Sequence, residues 1–210
     1  MKTKEKILLM SIELFNKHGV GVVTTNHIAK ALNMSPGNLY FHFDNKEEIV
    51  YELFLKMCKN TYQIWRPRKV SASNLIEFID MNFQIYWDYR FFHREMYALR
   101  RKDVRLAKLW RYHIKRVMQL MEILYRKWMA QGLVTPISSR EEMQYVSDSL
   151  LALATTFLQF FESTEKQATE KSIMRGKLHL TRVLLPYAQG PAKIALLQFL
   201  EDAKSSSFDL

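Results

Sequence analysis

A group of hydrogen-bonding side chains near the N-terminus has the composition of a nucleic-acid contact surface. Ser35, Tyr40, His42 and Lys46 can each donate a hydrogen bond to a phosphate oxygen. Gly37 lies among them, and because it has no side chain it permits a close approach to a backbone. We therefore expect this segment to bind a phosphate-bearing polymer.

Two short helices must position these side chains. Thr24 or Thr25 provides the N-cap of the first helix, and Ser35 followed by Pro36 opens the second, which we expect to run to about Phe43. Only residues 33–35 separate the two helices. This is the arrangement of a helix-turn-helix, whose second helix enters a DNA major groove about 12 Å wide. The residues left to pack beneath the surface are Ile28, Ala29, Leu32, Leu39 and Phe43.

The rest of the chain is predicted to form further capped helices. Its 210 residues contain 6 Gly and 5 Pro, and so few turn-forming residues favour long helices over many short strands. We predict an all-α protein of about nine or ten helices, with a three-helix helix-turn-helix domain over residues 1–46. A fourth helix over 46–66 then connects to a larger helical domain over 67–204, and a disordered tail follows over 205–210.

The net charge indicates a polyanionic partner. The formal charge is +10, and the segment from Arg90 to Trp128 holds twelve Lys or Arg against three acidic residues. Such an excess favours binding to nucleic acid or to an anionic membrane surface, and charge alone does not choose between them.

Several classes of protein are excluded by the composition. The single cysteine, Cys58, excludes an intramolecular disulfide framework and a multi-cysteine zinc site, and fits a reducing compartment. The 6 His are scattered without a ligand partner at a useful spacing, and no Gly-rich phosphate loop occurs. No uncharged stretch reaches the roughly 18 residues of a membrane span. We expect no enzyme site, metal, cofactor or membrane partner, and a cytoplasmic location.

Two runs of residues carry a specific resemblance to a known family: Thr24-Thr25-x-x-Ile28-Ala29 and Ser35-Pro36-Gly37-Asn38-Leu39-Tyr40-Phe41-His42-Phe43-x-Asn45-Lys46-Glu47-Glu48. Together they resemble the DNA-binding signature of TetR-family transcriptional regulators, over about residues 5–55. The resemblance implies a homodimer that binds a palindromic operator in double-stranded DNA, with repression released by a ligand.

Carried over residue by residue, the family pattern implies a set of DNA contacts. The implied contacts are Thr24, Thr25, Asn26, Ser35, Pro36, Gly37, Asn38, Tyr40, Phe41, His42 and Lys46. Within this set, Tyr40, His42 and Lys46 are the implied phosphate anchors.

The chain departs from the family pattern in its charge. Many relatives have Arg or Lys early in the second helix or beside the glycine of the third, where this chain has Asn26, His27 and Pro36. Readout of guanine by Arg is therefore less available. We expect sequence specificity to come from Thr25, Asn38, Tyr40 and the shape of the DNA.

The same resemblance implies that the C-terminal part senses a ligand and dimerises. Its many aromatic and Met side chains suit an adaptable apolar pocket, although ordinary core packing would give the same pattern. The residues that we assign to an effector pocket are Phe83, Tyr86, Trp87, Phe91, Arg94, Trp110, His113, Val117, Met121 and Phe157.

The basic run in the middle of the chain has two interpretations. Four of its residues, at 101, 105, 108 and 115, lie opposite an apolar stripe, which is typical of a solvated helix face. The remainder fit that stripe less well. Our hypothesis is that one or two of these meet an anionic head group on an apolar effector: Arg90, Arg94, Arg111 and Arg116.

Small side chains on the predicted eighth helix suit close packing against another helix. The resemblance implies a two-fold, four-helix interface made by the eighth and ninth helices, although internal packing would look similar. The residues that we assign to this interface are Ser147, Leu150, Leu151, Ala154, Leu158, Leu180, Leu184 and Tyr187.

Two other functions stay open on the sequence. A basic helical module could bind anionic membranes or RNA non-specifically through residues 90–128, and an enzyme could use an apolar helical cavity. Deleting residues 1–46 would leave polyanion binding intact in the first case and turnover intact in the second. Neither alternative has a motif as specific as the N-terminal one, so we interpret the chain as a DNA-binding regulator.

Overall fold

The computed structural model describes residues 2–66, 71–137, 139–164 and 169–205, without the side chains of Ser73 and Glu170. Within these residues the chain forms ten α-helices and one 3-10 turn, and the only extended pairing is a single bridge between Val134 and Ala188. The helices are α1 (Thr3–His18), α2 (Thr25–Ala31), α3 (Pro36–Tyr40), α4 (Lys46–Ile64), α5 (Ala72–Asp88), α6 (Arg90–Lys102), α7 (Val104–Ala130), α8 (Arg140–Thr164), α9 (Glu170–Leu184) and α10 (Gly190–Ser205). The predicted all-α class is confirmed.

Capping side chains begin the helices where the sequence predicts. Thr24 Oγ1 accepts the backbone N–H of His27 at 3.2 Å, and Asn45 Oδ1 accepts that of Glu48 at 2.9 Å. Asp103 Oδ1 accepts a backbone N–H of the first turn of α7 at 2.7 Å. These bonds satisfy amide groups that have no partner within their own helix.

The end of α3 differs from the predicted one, and prolines set two further helix ends. α3 ends at Tyr40 rather than near Phe43, and the chain then turns so that Phe43 is buried. α9 ends at Leu184, and a 3-10 turn continues to Tyr187 because Pro186 has no N–H to extend the α-helix. α10 begins at Gly190, since a proline is tolerated in the first turn of a helix. The fourth helix, predicted over 46–66, ends at Ile64. Ser205, predicted to begin a disordered tail, is the last residue of α10, and residues 206–210 of that tail lie outside the described residues.

The chain folds as two compact units. The N-terminal unit comprises residues 1–60 and 88–113, and the C-terminal unit comprises 61–87 and 114–210. The core of the N-terminal unit contains a chain of aromatic rings. Phe91 lies 5.4 Å from Phe15 and 4.2 Å from Phe92, and Phe92 lies 5.2 Å from Phe54. α6 and the first part of α7 therefore share a core with the helix-turn-helix.

The C-terminal unit is built around a close approach of three helices. The rings of Phe83 in α5 and Phe157 in α8 are 4.9 Å apart, and both lie against Gly176 of α9. A Cβ atom at position 176 would lie 2.6 Å from each ring, closer than van der Waals contact allows. Glycine is required there because no larger side chain fits between these rings.

Candidate nucleic-acid interface

α2 and α3 meet at a tight turn. Asn33 adopts a φ of 52°, a left-handed conformation that Asn tolerates better than most residues. Ser35 Oγ then accepts the backbone N–H of Asn38 at 3.2 Å, with Pro36 at the first helical position. The local sequence therefore orients a second short helix directly after the first.

The outer surface of this helix pair is exposed, whereas the side chains beneath it are buried. Leu39 and Ile28 are fully buried, while Phe41, at the end of α3, is 85% exposed. An exposed ring of this size next to the exposed amide of Asn38 offers both an apolar and a hydrogen-bonding contact to an external partner. All the residues implied as DNA contacts are fully or partly exposed: Thr24, Thr25, Asn26, Ser35, Pro36, Gly37, Asn38, Tyr40, Phe41, His42 and Lys46.

A hydroxyl pair links the two helices. Tyr40 Oη and Thr25 Oγ1 lie 3.0 Å apart, and either can donate. Because only one hydroxyl donates in such a pair, the other keeps its hydrogen for a phosphate oxygen or a base.

Lys46 has a structural role that the sequence analysis did not predict. Its Nζ donates to the backbone oxygens of Val20 and Val23, at 2.6 Å and 2.8 Å, in the turn between α1 and α2. An ammonium group has three hydrogens, so one remains for an external acceptor. Lys46, an implied phosphate anchor, therefore also stabilises the turn that precedes α2.

Glu95 of α6 binds the backbone amide groups of the same turn. Its carboxylate oxygens accept the backbone N–H groups of Val20 at 2.7 Å and Gly21 at 3.3 Å. Glu95 is a residue to which we assigned no role from the sequence. The one signal in the sequence is that Glu95 is the sole carboxylate in the basic segment 90–102.

Asn16 ties the beginning of α6 to the end of α1. Its Oδ1 accepts the N–H of Phe91 at 3.1 Å, and its Nδ2 donates to the carbonyl of Asp88 at 2.8 Å. Arg94, which we assigned to the effector pocket, instead donates to the carbonyl oxygen of Asn16 at 2.9 Å. These polar contacts within the N-terminal unit hold α6 against the helix-turn-helix.

The N-terminal unit carries most of the charge of the chain. Its residues include sixteen Lys or Arg against nine Asp or Glu, which is +7 of the total +10. The part of the basic run between residues 90 and 113 therefore belongs to the same compact unit as the helix-turn-helix. Such a positive unit attracts a polyanion through long-range electrostatics.

The structure separates the residues that we assigned to an effector pocket. Tyr86 and Met121 line a cavity of about 80 Å³ in the C-terminal unit. Phe83 and Phe157 pack around Gly176, and Trp87 lies against the same core. Val117 packs with Trp65 and Leu120.

Four residues of that set belong to the N-terminal unit and not to the cavity: Phe91, Arg94, Trp110 and His113. Phe91 is part of the aromatic core, and Trp110 lies 5.7 Å from Phe54. His113 is buried 5.6 Å from the Phe54 ring, and burial, with a smaller contribution from His93, lowers its pKa to about 4. The aromatic residues of this group do lie on buried helix faces, but those faces pack in the N-terminal unit.

The arginines in our anionic head-group hypothesis do not line the cavity either. Arg90, Arg94 and Arg111 are residues of the N-terminal unit, and Arg116 is an exposed side chain that donates to Gln119 at 3.4 Å. No charged side chain contributes to the described cavity wall. The described wall of this cavity therefore offers no cationic partner to an anionic head group.

The residues that we assigned to a dimer interface contribute to the interior of the C-terminal unit within this single chain. Seven of them line the cavity, and Leu158 is fully buried in the core. The seven are Ser147, Leu150, Leu151, Ala154, Leu180, Leu184 and Tyr187. One exposed face of α8 is formed by other residues, which we call the α8 stripe: Tyr145, Ser149, Ala152, Thr156 and Phe160. Internal and intermolecular faces share one helical periodicity, so spacing did not distinguish them.

Two further features were sought in the described part of the chain. Among the described helices, none combines the length and hydropathy that a membrane span requires. The described His, Cys, Asp and Glu side chains form no group of three that could bind a metal ion.

Comparison with known proteins agrees with the helix-turn-helix geometry. A family model described as "Bacterial regulatory proteins, tetR family" matches residues 7–53, and one described as "Bacterial transcriptional repressor" (TetR) matches residues 53–196. A solved structure of a TetR-family transcriptional regulator from Marinobacter aquaeolei VT8 has a TM-score of 0.86 and 30% sequence identity, and the match covers 96% of this chain and 98% of that one.

Curated relatives are similar over shorter regions. The HTH-type transcriptional regulator QacR of Staphylococcus aureus is 45% identical over 72 residues, which are 34% of this chain and 38% of QacR. The probable acrEF/envCD operon repressor of Escherichia coli is 38% identical over 56 residues, which are 27% of this chain and 26% of that repressor. The chain thus aligns with well under half the length of these two proteins.

The two family models adjoin at residue 53, and the first covers the exposed helix-turn-helix described above. This chain belongs to the TetR family of DNA-binding transcriptional regulators.

Proposed function

We propose that the protein is a ligand-responsive repressor that binds a palindromic operator as a homodimer. The observation that carries the proposal is the exposed outer surface of the α2–α3 pair, which follows a turn whose backbone groups are bonded to Lys46 and Glu95. A surface held in this way can meet a major groove with little loss of side-chain and backbone freedom.

The proposed contacts divide by chemistry. The Asn38 amide is suited to pair with the edge of an adenine, and the Phe41 ring is suited to contact a thymine methyl group. Ser35, Tyr40 and His42 donate to phosphate oxygens, and Lys46 adds one further hydrogen bond. We also propose contacts through Thr24, Thr25, Asn26, Pro36 and Gly37, which complete the exposed surface.

Ligand response is proposed to arise at the cavity of the C-terminal unit. A ligand that fits the cavity in only one arrangement of the dimer shifts the population toward that arrangement. The two recognition helices then no longer match successive major grooves, and repression ends.

Dimerisation is proposed to use the α8 stripe rather than the cavity-lining residues. The stripe presents two large rings, Tyr145 at 67% and Phe160 at 62% exposure, on either side of the small residues Ser149 and Ala152. Small residues let two helices approach closely, and the rings supply apolar area to be buried. An Ala152→Arg variant should sediment as a monomer, whereas a Lys193→Ala variant on the exposed surface of α10 should sediment as wild type does. A dimeric Ala152→Arg variant would contradict the use of this stripe.

Selection of bound sequences from random duplex DNA tests the DNA-binding proposal. We would compare wild type with an Asn38→Ala, Phe41→Ala double variant and with Tyr112→Ala, an exposed aromatic control in the same unit. Wild type and control should select one palindromic motif, and the double variant should lose it while keeping salt-sensitive, non-specific binding. A motif that survives in the double variant would place base readout outside α3.

A further inference from the structure

Neighbouring side chains of α6 meet the end of α1 and the turn after it with opposite charges. Arg94 donates to the carbonyl oxygen of Asn16, in the last turn of α1, at 2.9 Å. Glu95 accepts the N–H groups of Val20 at 2.7 Å and Gly21 at 3.3 Å. A cation at the carbonyl end of a helix and an anion at the amides beyond it each match the polarity of the backbone. The charges of α6 are therefore matched to this segment.

Val20 is bonded by a charged side chain on both of its peptide groups. Glu95 accepts its N–H, and Lys46 donates to its carbonyl oxygen at 2.6 Å. Lys46 also donates to the carbonyl oxygen of Val23 at 2.8 Å. Hydrogen bonds to ionised groups are roughly twice as strong as neutral ones. Two opposite charges therefore fix the position of this short turn.

The turn leads directly into the recognition surface. Thr24, the residue after Val23, is the N-cap of α2, and its side chain accepts the N–H of His27. The next residue, Thr25, is linked to Tyr40 of α3 by the 3.0 Å hydroxyl contact. A displacement of the turn would therefore move the start of α2 and reach α3 as well.

The charge of Glu95 and its hydrogen bonds have opposite consequences for DNA binding. Glu95 is a partly exposed carboxylate in a unit whose net charge is +7, and phosphates repel it. On charge alone, its removal should strengthen binding to any duplex. Its bonds matter only to a duplex whose bases are read, because base readout needs side chains held to within about 0.5 Å.

We propose that Glu95 is a positioning residue that raises the preference of this protein for its operator over other DNA. Its hydrogen bonds strengthen operator binding by fixing the turn before α2, and its charge weakens binding to DNA of any sequence. The inference rests on the proposed function, and it assigns part of the operator selectivity to α6, outside the helix-turn-helix.

Three substitutions in the full chain separate the charge of Glu95 from its hydrogen bonds. Glu95→Ala removes the charge and both bonds, whereas Glu95→Gln removes the same charge and keeps one acceptor oxygen. Glu13→Gln is the matched control, since Glu13 is an exposed carboxylate of α1 in the same unit. Fluorescence anisotropy would measure binding to two duplexes at one salt concentration. One is the duplex that wild type selects from random sequences, and the other is a shuffled duplex of equal length and composition.

We expect Glu95→Ala to bind the selected duplex about 10-fold more weakly than wild type, the scale of a lost hydrogen bond to a charged group. It should bind the shuffled duplex at least as tightly as wild type does. Glu95→Gln should lie between wild type and Glu95→Ala on the selected duplex, although the two variants have equal charge. Glu13→Gln should keep the preference of wild type. A loss of folded protein would instead weaken binding to both duplexes by one factor, and circular dichroism measures that loss.

The inference is overturned if Glu95→Ala prefers the selected duplex as strongly as wild type does, or if both Glu95 variants behave as Glu13→Gln does. Should Glu95→Ala fail to fold, Glu95→Gln against Glu13→Gln decides the question, because each removes one negative charge. A wild type that selects no motif would refute the proposed function and this inference with it. A selective wild type with unchanged selectivity in the Glu95 variants would refute this inference alone.

Discussion

In the N-terminal unit, charged and polar side chains satisfy the backbone around the helix-turn-helix, whereas the described cavity of the C-terminal unit is lined without charged side chains. Glu95 and Lys46 bond the turn before α2 from its amide and carbonyl sides, and Asn16 anchors α6. In the C-terminal unit, the described residues that line the cavity include no Asp, Glu, Lys, Arg or His.

The difference corresponds to what each unit must do. A surface that reads DNA must be held in one conformation, because a small displacement loses the hydrogen bonds to bases. The cavity, to which we assign the proposed ligand response, has a wall suited to apolar contact with a small molecule. Three variants and one pH titration test this contrast between the two units.

The largest expected effect is in the packing of the C-terminal unit. Gly176→Val should lower the free energy of unfolding by about 3 kcal/mol, because the added atoms overlap the rings of Phe83 and Phe157. Urea unfolding followed by circular dichroism measures this. Gly21→Ala is the control, since a Cβ there has no neighbour within 4 Å in the structure and should change stability by less than about 0.5 kcal/mol. Equal stability of Gly176→Val and wild type would show that the rings of Phe83 and Phe157 move aside at no cost in free energy.

The next effect concerns the polar anchoring of the N-terminal unit. Asn16→Ala should lower the free energy of unfolding by about 2 kcal/mol, because it leaves the N–H of Phe91 and the carbonyl of Asp88 without their partners. Asn60→Ala is a matched control in the same unit, since Asn60 makes only a long contact of 3.5 Å with Tyr89 Oη. Denaturant midpoints of the two variants give the comparison, and similar midpoints would mean that the Asn16 bonds add nothing.

A pH titration of stability tests the buried histidine of the N-terminal unit. Burial holds the pKa of His113 at about 4, whereas an unfolded histidine titrates near 6.5. The unfolded state therefore binds a proton that the folded state does not, and stability present above pH 6.5 is lost as the pH falls toward 4. Between pH 7.5 and 5 we expect a loss of about 1 to 2 kcal/mol from this residue. In His113→Gln the thermal midpoint should fall less over this range, and an unchanged pH dependence would assign the loss to other groups.

The smallest effect on stability is expected at the exposed hydroxyl pair. Tyr40→Phe removes the 3.0 Å contact with Thr25 Oγ1 at a solvated position. The free energy of unfolding should therefore change by no more than about 0.5 kcal/mol. Operator affinity, measured by fluorescence anisotropy, should fall by a larger factor of about 10 because a phosphate contact is lost as well. A stability loss as large as that of Asn16→Ala would show that this bond holds the helix pair together rather than serving the interface.

The helix-turn-helix could be predicted because its signals are local. The caps at Thr24 and Ser35 and the proline at the first position of α3 act within a few residues of themselves. The cavity could not be predicted in the same way. Aromatic residues such as Phe91 and Trp110 have the same helical spacing as Tyr86 and Met121, yet only the latter two line the cavity. Periodicity identifies the buried face of a helix but not the neighbour that covers it.

The sequence alone determined the all-α class, several helix starts and the helix-turn-helix, since capping and hydrophobic spacing depend on residues close together in the chain. Tertiary structure alone decided that Glu95 bonds Val20, 75 residues away, and that α8 turns Ser147 and Ala154 toward a cavity. These outcomes depend on which helices pack together, and that is settled by contacts between residues far apart in the sequence rather than by any local pattern.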